Sequence, residues 1–178
     1  LEFRRVLFRS AAKDDLYLVA GRRGYLVGGM QGDFPSIGSH IPGEMGGFWT
    51  HPIKVLDGFE LGIRIDNDTR WGLEATDYRM SPTESEITFR DDQYGVDVRL
   101  LLFIPQDQPS IQLIYHIDFD AEINPQSVEV LWRFRSDLRP AWLGDKVGLN
   151  DAPDVAEVVN DNLVIARDGS NKIGRAHV

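Results

Sequence analysis

The chain has 178 residues, enough for one domain of ordinary size. At 42% hydrophobic and 10% aromatic it is too apolar for a disordered tail, and no run nears the roughly 18 apolar residues of a membrane helix. Its 28 acidic and 19 basic residues give a formal charge of −9, which opposes nucleic acid and anionic membrane as partners, and neither is expected. The absence of cysteine excludes disulfides, thiolate metal sites and thiol nucleophiles, and fits a reducing, cytoplasmic setting.

The two ends read differently from the rest. Residues 1–10 and Lys172–Val178 can be encoded by opposite strands of a single oligonucleotide, and both resemble translated sequencing adapter. Such segments are set aside before any fold is read. The expected natural part is 11–171, a single domain and a fragment of a longer protein. The ends hold five of the basic residues and one acidic residue, so 14 basic and 27 acidic remain, a formal charge of −13.

Within 11–171 short apolar or alternating runs are broken by turn residues, as in antiparallel β structure. Leu16 to Ala20 and Tyr25 to Val27 flank Gly21-Arg22-Arg23-Gly24 and predict a hairpin. The segment from Gly28 to Gly58 has 8 glycines and 3 prolines in 31 residues and predicts a long loop. Phe59 to Ile65 alternates and stops at Asp66-Asn67-Asp68. Glu86 to Arg90 and Val96 to Ile104 follow, with Asp91 to Gly95 as the turn between them. Ile111 to Phe119 and Ser127 to Phe134 are the longest β-rich runs, and Val155 to Val159 with Leu163 to Ala166 predicts a last hairpin. With no helical stripe anywhere, the predicted fold is all-β, a two-sheet antiparallel sandwich carrying a long Gly-rich loop.

That loop concentrates the chemistry. Ser39, His40, Glu44, Trp49, His51 and Asp57 lie close in sequence among glycines that let the backbone turn or approach a ligand. Zinc would use His40, Glu44 and His51, but their spacing matches no established motif, and no metal or other cofactor is expected. Ser39 beside His40 lacks a nucleophile elbow, so a serine triad is not expected either. The plain alternative is that the two histidines hydrogen-bond the loop. Carboxylate pairs run glycoside hydrolysis, yet Glu44, Asp57, Glu60, Asp118 and Asp120 are too many to single out two. Among the tryptophans, Trp49, Trp71 and Trp142 are candidates to stack on sugar rings, whereas Trp132, in an apolar strand, is expected in the core. Asp66-Asn67-Asp68 and Asp91-Asp92 lack the rest of a calcium loop and are read as turns.

The run Ile37-Gly-Ser-His-Ile-Pro-Gly-Glu-Met-Gly-Gly-Phe-Trp49, followed by His51-Pro-Ile-Lys-Val-Leu-Asp-Gly-Phe-Glu-Leu-Gly-Ile63, resembles the N-terminal region of prokaryotic glycogen-debranching, amylo-α-1,6-glucosidase-like proteins. The similarity covers about 27 of the 161 residues in 11–171. It implies a supersandwich-like N-terminal domain ahead of an (α/α)6 barrel that holds the catalytic carboxylates and is missing from this chain. No catalytic residue carries over. The implied role is non-catalytic: His40, Glu44, Trp49, His51 and Asp57 would face an α-glucan or the barrel, with Ile41, Met45, Phe48 and Trp49 as an apolar patch awaiting cover. The rival readings are a free-standing carbohydrate-binding or mutarotase-like sandwich, and a purely structural one.

Overall fold

The structure is a computed structural model that describes residues 15–38, 43–81, 83–120, 122, 127–141, 151–161 and 163–169. Every regular element among them is a β-strand, in two principal antiparallel sheets. The first contains β1 (Leu16–Ala20), β2 (Tyr25–Gly29), β3 (Gly47–Thr50), β4 (Ile53–Ile65) and β10 (Val128–Pro140) in that order, with β5 (Asp68–Trp71) paired to the far end of β4. The second runs β6 (Ala75–Met80), β7 (Glu84–Asp91), β8 (Val96–Phe103), β9 (Gln112–Phe119). A hairpin of β11 (Asp154–Asn160) and β12 (Leu163–Asp168) forms a small third sheet.

Alternation explains the layers. In β8, Val96, Val98, Leu100 and Leu102 are buried while the residues between them are half-buried or exposed, the period of a strand with one face on a core. Register extends that face across the second sheet, where Tyr78, Ile87, Leu100 and Tyr115 pair in a row. From the first sheet Tyr17, Val19, Leu26, Phe48, Phe59, Leu61 and Ile63 complete the same core. Two aromatic contacts span the layers at opposite flanks: Tyr17 of β1 meets Tyr78 of β6 at 5.6 Å, and Trp132 of β10 meets Tyr115 of β9 at 4.1 Å.

The turns are built by their residues. Asp91 Oδ1 accepts the backbone N–H groups of Gln93 and Tyr94, and Gly95 closes that turn at a φ of 57°, a side chain standing in for a backbone acceptor. Arg70 of β5 reaches Asp91 at 3.3 Å and ties the two sheets at this end.

Three expectations are corrected. The segment from Gly28 to Gly58 is not loop throughout: it holds the end of β2, all of β3 and the start of β4. Strands β5 and β6 lie where no strand was expected. Trp132 points to the inner face, opposite Leu61, yet is 41% exposed because β10 is the last strand of its sheet and the core thins at that flank.

Tyr17 gives the fold an alkaline limit. Burial first, then Tyr78, Tyr115 and Asp33, push its phenol far above the ordinary value near 10. The folded state therefore keeps the proton that the unfolded chain releases, so this stabilisation is complete below about pH 10 and is lost as pH rises beyond it, by about 1.4 kcal/mol per pH unit. Melting temperatures between about pH 9 and 11 should fall steeply, and Tyr17→Phe should flatten the fall. A residual slope is expected, because burial also raises Tyr115. An unchanged slope in Tyr17→Phe would contradict the assignment.

Candidate functional site

The glycine-rich segment is held on the first sheet by a buried ammonium. Lys54, in the first turn-proximal part of β4, is 0% exposed. Its Nζ donates to the carbonyl of Gly43 at 2.6 Å and to Asp57 Oδ1 at 2.7 Å, and lies 3.0 Å from Asp137 Oδ2. An ammonium has three donors, and here three acceptors meet them. Two irregularities bring these groups together. β3 and β4 slip register between Phe48 and Trp49, and β10 bulges on either side of Ser136, so that Asp137 is turned toward Lys54, as bulges re-aim side chains.

Guanidinium groups border this node. Arg139 Nε lies 3.0 Å from Asp137, and Arg135 Nε lies 3.7 Å from Asp57. The Asp151 carboxyl is pushed above its usual range, chiefly by partial burial and then by Asp137. Within the glycine-rich segment the Met45 N–H donates to the carbonyl of Ile37, and Trp49 Nε1 donates to the carbonyl of Gly46 at 3.1 Å. Gly47 takes a φ of 81°, and a Cβ there would come within 2.1 Å of the Leu56 carbonyl oxygen, a position that only glycine occupies without strain.

Beside the node runs a cleft of about 400 Å³, bordered by Phe34 on one wall, Phe59 and Glu60 of β4, Leu73 and Glu74 after β5, and Arg135 of β10. Phe34 and Phe59 meet edge to face at 4.7 Å. Glu60 is 3.2 Å from Arg133, whose guanidinium lies over the Trp71 ring at 4.1 Å.

The residues singled out in the sequence fall in separate places. Asp57 is in the Lys54 node. Glu44 is buried, and His51 is exposed at a cis peptide bond to Pro52. Trp49 is buried and stacked on Tyr25 at 6.3 Å, so it is a packing residue and not an open platform for a sugar ring. His40, and with it the zinc and serine combinations, lies outside the described residues, as do Ile41 and Trp142. Of the apolar patch expected in the loop, Phe48 and Trp49 are buried and Met45 is 57% exposed. Alternation on β3 buries the two aromatics on opposite faces, so the patch does not form as expected. Among the described residues no group of His, Cys, Asp and Glu is arranged to hold a metal, and no helix is long and apolar enough to cross a membrane.

Lys54, Asp137, Arg135 and Phe34 were missed in the sequence. The one available signal was a lysine set in the apolar run Pro52-Ile53-Lys54-Val55-Leu56. Comparison with family models, with curated proteins and with solved structures finds no match to this chain.

Proposed function

We propose that this chain is the non-catalytic sandwich domain of a glycoside hydrolase acting on α-glucans, with the glycine-rich segment bordering the active site of a helical (α/α)6 domain. The observation that carries this reading is the convergence of the motif residues. Gly43, Lys54 and Asp57, all within the stretch that resembles debranching proteins, meet around the buried ammonium of Lys54. A surface segment fixed by a buried charge is suited to present a constant edge to a neighbouring domain or substrate, since positioning demands rigidity. Fold and family analogy supply the rest of the reading.

Two measurements test it. The chain alone should release no glucose from maltodextrin or pullulan, because the acid and base carboxylates are placed in the other domain. Release abolished by changing a carboxylate of this chain would overturn the non-catalytic role. In an unbroken genomic contig, the reading frame should continue beyond residue 171 into a long helix-rich region. A stop shortly after that point would instead leave a free-standing sandwich.

A further inference from the structure

We infer that the cleft between Phe34 and Glu74 is a binding site for a single sugar ring or a polyol of that size. Its volume of about 400 Å³ falls within the roughly 300–1,000 Å³ of small-molecule sites. The inference does not depend on the catalytic partner proposed above, and its failure would leave that reading intact.

Two of the polar side chains are already paired before any ligand arrives. Glu60 is held by Arg133, which is itself seated on Trp71. Arg135 lies 3.7 Å from Asp57, which Lys54 contacts in turn. Gly58 lets Phe34 and Arg135 lie against β4, for a methyl group there would be 2.8 Å from each. Side chains ordered in advance lose little entropy on binding.

The chemistry of the lining selects the ligand class. An anion would meet the carboxylates of Asp33, Glu60 and Glu74 against the single guanidinium of Arg135. A wholly apolar ligand would strip water from those groups and return no hydrogen bonds. A cation would find only one carboxylate in excess, since Arg133 offsets Glu60 and Arg135 lies among the remaining two, and it would leave both guanidinium groups without a partner in the ligand. A pyranose satisfies both parts: its C–H face would lie on Phe34 and Leu73, and its hydroxyls, each donor and acceptor, would meet carboxylate and guanidinium alike.

The test is a titration of the full ¹⁵N-labelled chain, followed by amide shifts, with the methyl pyranosides of glucose, galactose and mannose, and with choline and acetate as cation and anion. At least one pyranoside should shift the amides of 31–34 and 72–74 in a saturable, millimolar manner. Phe34→Ala and Glu74→Gln should each weaken binding at least about fivefold, and Asp92→Asn, in an exposed turn, should leave it unchanged. Glu74→Gln keeps size and fold, so it decides the matter if Phe34→Ala unfolds. No saturable shift with any pyranoside, shifts confined to other parts of the chain, a cleft that takes choline or acetate instead, or undiminished binding in Glu74→Gln would each overturn the inference.

Discussion

Lys54→Met should destabilise the chain by about 2–3 kcal/mol. The substitution keeps an unbranched side chain, one atom shorter, but removes the cation shared by Asp57, Asp137 and the Gly43 carbonyl. Removing one member of a fully buried ion pair costs about 3–5 kcal/mol, because the partner charge is left without compensation. Here the loss is smaller for two reasons. Asp57 and Asp137 are 38% and 26% exposed, so water relieves them in part, and Arg135 and Arg139 stay beside them. Urea unfolding should show a lower midpoint with an unchanged slope, the mark of altered stability without altered compactness. A change below about 0.5 kcal/mol would mean that Lys54 does not hold the segment.

Gly47→Ala should cost about 3 kcal/mol or more, the largest effect expected of any single added methyl group here. Two costs combine at this position. The backbone has a φ of 81°, and an added Cβ would sit 2.1 Å from the Leu56 carbonyl oxygen and 2.9 Å from that of Asp57. Both obstacles are backbone atoms in the bulged β3–β4 pairing, which cannot yield without breaking the pairing. Gly72→Ala is the control. Its φ of 68° imposes a similar conformational cost, but the new methyl group would meet only the Glu60 carboxylate oxygen, at 3.1 Å, the free end of a side chain, and about 1 kcal/mol is expected. Thermal melts of the two variants should rank in that order, and the reverse ranking would refute the placement of Gly47 against β4.

These two residues also show what can be read from the sequence. The hairpin of β1 and β2 and the final hairpin were legible as short apolar runs bounded by turn residues, and β8 by its alternation. β3 and β5 have four residues each, too short for a period, and β6 buries a single large side chain, Tyr78. Their pairing comes from neighbours already in place, which a local pattern does not record. The same limit applies to the site. His40, Glu44, Trp49, His51 and Asp57 are close in sequence, but alternation and bulges send Trp49 onto Tyr25 and leave His51 in solvent. Lys54 finds Asp137 only through the register of β4 with β10 and the bulge beside Ser136, and spacing along the chain carries no trace of that.

Amide hydrogen exchange is the most direct measure of whether the glycine-rich segment belongs to the folded body. The Met45 amide, bonded to the Ile37 carbonyl next to the Lys54 node, is the reporter. In the unmodified chain it should be protected well above the level of an open loop, together with residues 47–50 of β3. In Lys54→Met its protection should drop by more than that of Ile87 or Leu100 in the second sheet. Exchange of the Met45 amide at the rate of an unstructured peptide in the unmodified chain would contradict a segment pinned by Lys54, and with it the fixed surface on which the proposed function rests.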